Sequence, residues 1–63
     1  RDVIRLAQHL PSGQKAVLLA MAEGCSGAQA AARLAMTEGA VRVALHRGLT
    51  RLAAIVRGTE ARE

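Results

Sequence analysis

A chain of 63 residues with no Phe, Tyr or Trp holds at most one small domain, and its core must come from Leu, Val, Ile, Met and many Ala. The net charge of +4 is carried almost wholly by arginine, which disfavours acidic-protein roles and points to a polyanionic partner. A single Cys excludes an internal disulfide and fits a reducing, cytoplasmic setting, and no apolar run approaches the ~20 residues needed to cross a membrane.

The composition favours helix, and no alternating β-branched run interrupts it. No signal peptide is visible, and the opening at Arg1 rather than Met reads as a piece of a longer protein. The first predicted helix carries Val3, Leu6, Ala7 and Leu10 at helical spacing. It ends near His9, because the residue before Pro11 is pushed out of helical geometry. Ser12 and Gly13 are expected as the link to a second helix that buries Val17, Leu18 and Met21 and stops at Gly24. Ser26 to Gln29 has the S-x-x-Q spacing of a capping box, opening a short third helix over about 27–34 with Ala31 and Leu34 facing inward. Ala35 and Met36 form a tight connection. Thr37 is then an N-cap and Glu38 a first-turn acid for a fourth helix, which runs to about Arg57 and is stopped by Gly58. The chain is thus expected to be all-α: a helix-turn-helix domain of four short helices over 1–57, with a polar tail over 58–63.

At ~100° per residue the fourth helix divides into two faces. Val41, Leu45, Leu49, Leu52 and Val56 make the expected core stripe. Gly39, Arg42, Val43, His46, Thr50 and Arg57 lie opposite, with Arg47 at their edge. The charge follows this division. Over residues 33–57, Arg33, Arg42, Arg47, Arg51 and Arg57 stand against Glu38 alone, a net +4, while the first 32 residues hold a net +1 and the last six a net −1. A short helix, a tight turn and a longer basic helix form the arrangement that lays its second helix in the DNA major groove. Gly39 leaves the backbone open to a phosphate, Arg42 reaches a phosphate or the O6/N7 edge of guanine, and His46 and Arg47 continue along the groove. Gly48 lies beside the core stripe, where close helix packing explains it better than DNA does.

The stretch "LPSGQKAVLLAMAEGCSGAQAAARLAMTEGAVRVALHRGLTRLAA" resembles region 4, the C-terminal region of bacterial sigma-70-type factors, and most of all the extracytoplasmic-function (ECF) group. The pieces that carry it are the "LP" followed by "Q" and "VLL", the "EG-S" before the third helix, and above all "TEGAVRVALHRGLTRL". The resemblance covers about residues 1–57. It implies a bundle like a winged helix without the wing, which recognises the promoter −35 element, docks on the β-subunit flap of RNA polymerase and is sequestered by an anti-sigma factor. The DNA contacts it implies fall on Thr37, Glu38, Gly39, Arg42, Val43, Ala44, His46 and Arg47, with Arg33 as a phosphate contact. The resemblance extends to region 4 only, so the part of a sigma factor that binds core polymerase and the −10 element is expected outside these residues. The chain departs from the family at Val43 and Ala44, where many members carry Ser and Arg. Arg42 and Arg47 must therefore do more, and Val43 can offer only an apolar contact, such as one to a thymine methyl. Ala35 stands where the turn usually has Gly.

Cys25, His9 and His46 show no zinc-ligand spacing, and no nucleophile–base set appears, so neither metal, other cofactor nor enzymatic activity is expected. Two other readings compete. One is a protein-interaction module using apolar surfaces around Val3, Ile4, Leu6, Val17, Leu18 and Met21. The other is a LuxR-type response-regulator output domain, which would dimerise through its last helix, whereas the region 4 reading expects a monomer.

Overall fold

The computed structural model describes the backbone of residues 2–61 and, within it, the side chains of residues 5–58. Four helices follow one another: α1 (Asp2–Ala7), α2 (Ser12–Ala22), α3 (Gly27–Leu34) and α4 (Glu38–Ala61). No strand occurs among the described residues. The all-α class and the helix-turn-helix order agree with the sequence reading. Val3 and Ile4, named there as surface candidates, lie outside the described side chains, and Arg62 and Glu63 of the expected tail lie outside the described residues.

The boundaries follow local chemistry, with three corrections. After Ala7 the bonding tightens: Gln8, His9 and Leu10 donate to the carbonyls of Arg5, Leu6 and Ala7, three residues back. The α-helix therefore ends before His9, and a narrower turn leads into Pro11. Ser12 and Gly13, expected as a link, are instead the first turn of α2. Pro11 stands at the N-cap with φ −54° and ψ 150°, and its carbonyl accepts the N–H of Lys15 at 2.9 Å. Thirdly, α4 does not stop at Gly58 but continues to Ala61. Glycine weakens a helix by about 1 kcal/mol without obliging it to end.

Elsewhere the signals act as read. Gly24 takes the left-handed conformation (φ 97°) that closes α2, and the N–H groups of Gly24 and Cys25 donate to the carbonyls of Met21 and Ala20. Ser26 Oγ accepts the Gln29 N–H at 3.1 Å, while Gln29 Oε1 accepts the Ser26 N–H at 2.8 Å. Thr37 Oγ1 accepts the Ala40 N–H at 3.0 Å and caps α4. The turn between α3 and α4 is closed by the Met36 N–H on the Ala31 carbonyl, with Ala35 left-handed at φ 56° and ψ 43°.

The core has two parts joined by Leu45. Val17, Ala20, Ala30, Ala31 and Val41 are buried where α2, α3 and α4 meet, flanked by Met21, Cys25, Leu34, Met36 and Ala44. Ala7, Leu10, Leu18 and Leu52 form the second part, under α1. Alanine on α2 and α3 lets the short helices lie close to α4, so a core without aromatics can still close. The expected core stripe of α4 is corrected here. Val41 and Leu52 are buried, but Leu49 is 51% exposed and Val56 37% exposed. Gly48 takes the inward place, because its missing side chain lets α2 approach at that level and turns Leu49 outward.

Candidate nucleic-acid interface

The first half of α4 buries Val41 between α2 and α3 and leaves its other side as an exposed ridge. Its start is held by the Thr37 cap, with Glu38 in the first turn, where a carboxylate suits the positive end of the helix dipole. Gly39 faces open space: a Cβ there would meet only Thr37 Oγ1, at 4.0 Å. Nothing inside the fold demands glycine at this position.

A groove runs on each side of the ridge. One, of about 420 Å³, lies between the N-terminus of α2 and α4 and is lined by Pro11, Gly13, Gln14, Gly39, Ala40, Val43, Ala44 and Arg47. It continues along α4 into a more polar hollow formed by Gln14, His46, Arg47, Thr50 and Arg51. The other, of about 190 Å³, lies towards α3 and is lined by Met21, Gly27, Glu38, Val41, Arg42 and Leu45. Arg42 thus flanks one groove and Arg47 the other. Arg42, Arg47 and Arg51 are exposed and form no ion pair among the described residues. Three guanidinium groups over two turns and more of helix, against Glu38 alone, give the ridge a net positive field.

Most residues assigned from sequence come together here. Thr37 at the cap and Glu38, Gly39, Arg42, Val43, His46 and Arg47 along the first half of α4 are all exposed. Thr37 and His46 also have internal tasks, since the His46 carbonyl accepts the Thr50 hydroxyl at 2.9 Å. Ala44 is half-buried, packs against the core and forms part of the groove floor. Arg33 stands apart: at the far end of α3 its guanidinium donates to Glu23 and forms an ion pair with it. That hydrogen bond, with lesser help from the charges of Cys25 and Glu23, raises the Arg33 pKa and keeps the group protonated. Its charge is already answered within the protein.

Sequence reasoning missed the α2 contribution. Pro11, Gly13 and Gln14 build one wall of the larger groove, and no local pattern announces this. Gln14 Oε1 is shut from solvent there without a hydrogen-bond partner. Arg51 was legible, since it stands one helical turn after Arg47. Among the described residues no group of three or more His, Cys, Asp or Glu is placed to hold a metal ion, and no helix is long and apolar enough to cross a membrane.

The family model described as "Sigma-70, region 4" matches residues 1–52, which include α1 to α3, the turn and the exposed ridge of α4. No curated protein and no solved structure matches the chain.

Proposed function

Because the chain belongs to the sigma-70 region 4 family, which recognises the promoter −35 element and works with RNA polymerase, we propose that the ridge over residues 37–47 is its reading element. The observation that carries this is the unpaired state of Arg42 and Arg47 on either side of an open Gly39. In the major groove Arg42 is placed to bond a guanine edge or a phosphate, and Arg47 and Arg51 to follow the backbone. Thr37, Glu38, Val43 and His46 complete the contact surface, and Ala44 permits close approach. Arg33 is an auxiliary phosphate contact at most, because Glu23 holds it. Membership in the family displaces the LuxR-type output-domain reading.

We further place the chain in the ECF group, on "TEGAVRVALHRGLTRL", and assign it docking on the β flap and sequestration by an anti-sigma factor in the cytoplasm. Exposed Leu49 and Val56 favour a protein partner. With Ala53 between them they share one side of α4, in line with Arg42 and about two to four helical turns beyond it. The isolated domain is expected to be a monomer.

Selection from a randomised duplex pool, followed by fluorescence anisotropy and a salt titration, tests the DNA reading. One short motif should be enriched, and Arg42→Ala should cost about 1–3 kcal/mol on it. Weak, unselective binding unchanged by Arg42→Ala and Arg47→Ala would overturn it and leave the partner-protein role of the apolar surfaces.

A further inference from the structure

We propose that Val43 is a specificity-determining residue that seats the C5-methyl group of a thymine in the groove between α2 and α4. This rests on the DNA reading given above.

Val43 is 49% exposed on a basic face of α4. It does no core work: neither buried cluster includes it. Its χ1 is nearly fixed by the helix, so the two methyl groups are displayed in one orientation at little entropic cost. The surroundings extend the apolar surface. Gly39, Ala40 and Ala44 on α4 and Pro11 and Gly13 on α2 present no side-chain donor or acceptor to the groove, and before Arg47 only the Gln14 amide is polar. Cations begin only with Arg47 at the edge, and Arg42 lies on the other side of the ridge. The occupant is therefore an apolar group carried on a polyanion. On the major-groove edge of DNA the thymine methyl is that group.

The same groove favours thymine over cytosine through the methyl group, because thymine buries a C5-methyl against Val43 and cytosine has none.

The test uses the motif enriched by selection. Each thymine is replaced singly by deoxyuridine, which lacks only the C5-methyl, and binding is measured for the unaltered protein, Val43→Ala, Val43→Ile and Arg42→Ala. At one position uracil should weaken the unaltered protein about three- to fourfold, the value of one buried methyl group. Val43→Ala should bind thymine and uracil equally there, while Val43→Ile and Arg42→Ala keep the difference. Circular dichroism checks that Val43→Ala remains folded. Uracil tolerated at every position, a motif without thymine, or a Val43→Ala protein that still prefers thymine overturns the assignment. In each of those cases Arg42-dependent selectivity leaves the DNA reading standing. Failure to enrich any motif overturns both.

Discussion

Gly48 of α4 and Leu18 of α2 share one space: a Cβ on residue 48 would lie 3.2 Å from Leu18 Cδ1 and 3.6 Å from Gln14 Cβ. The absent side chain sets the α2–α4 distance, and that distance fixes which face of α4 turns inward. It also places Gln14 beside the exposed ridge, so the packing defines one wall of the proposed interface. Gly48→Val should lower stability by about 2 kcal/mol through overpacking, read by urea denaturation. Leu18→Ala alone should cost about 2–4 kcal/mol. Together they should cost clearly less than their sum, because the valine fills the vacated volume. Strict additivity would show that the two side chains do not meet.

Ala35 holds the conformation that Gly24 holds at the end of α2, but with a Cβ. The left-handed region costs an alanine about 1–2 kcal/mol. Ala35→Gly should recover part of that, with the greater freedom of glycine in the unfolded chain offsetting about 0.4–1 kcal/mol. The net gain should raise Tm by several degrees, since ~1 kcal/mol corresponds to about 4–8 °C in a domain this small. A lower Tm would contradict the strain. Gly24→Ala should move Tm the opposite way.

The Thr37 hydroxyl caps α4, and the helix it starts carries the residues proposed to read DNA. Thr37→Ala should cost about 1 kcal/mol of stability and weaken DNA binding by fraying the first turn, while Thr37→Ser should restore both. A Thr37→Ala protein of full stability but reduced affinity would mean that the hydroxyl contacts DNA and does not act as a cap.

Arg33 and Arg47 should behave differently on DNA although both are exposed arginines. Arg47→Ala should reduce the salt dependence of binding by about one unit of slope. Arg33→Ala should change it little, because Glu23 already pairs with Arg33. Glu23→Gln should release Arg33 and steepen the salt dependence by up to about 0.9. Equal effects of the two alanine variants, measured by anisotropy between low and moderate salt, would show that the Arg33–Glu23 pair opens freely on DNA. The Arg33 pKa is raised, so any stability from its charged form is present below the ordinary arginine range and lost only as pH rises through the still higher folded value. No step from Arg33 itself is expected near neutral pH.

Much of the molecule was legible because it is encoded locally. Helix starts at Ser26 and Thr37 and the stop at Gly24 depend on side chains within a few residues, and the structure forms each bond that the spacing implies. The exposed basic ridge was legible for a similar reason, since helical periodicity alone sets Arg42, His46 and Arg47 on one side. Tertiary structure decided what depends on neighbours distant in sequence. Periodicity allowed Leu49 and Val56 a place in the core, but α1 and α2 cover α4 along a line through Gly48 and Leu52, and both side chains were left in solvent. The family resemblance offered Arg33 as a phosphate contact, and only the fold brought Glu23 against it. The α2 wall of the groove likewise has no signature in the chain, because Gln14 and Val43 become neighbours only when the helices pack. Local bonds and periodicity determined the elements and the basic face, and the packing of α2 on α4 determined which residues share the interface.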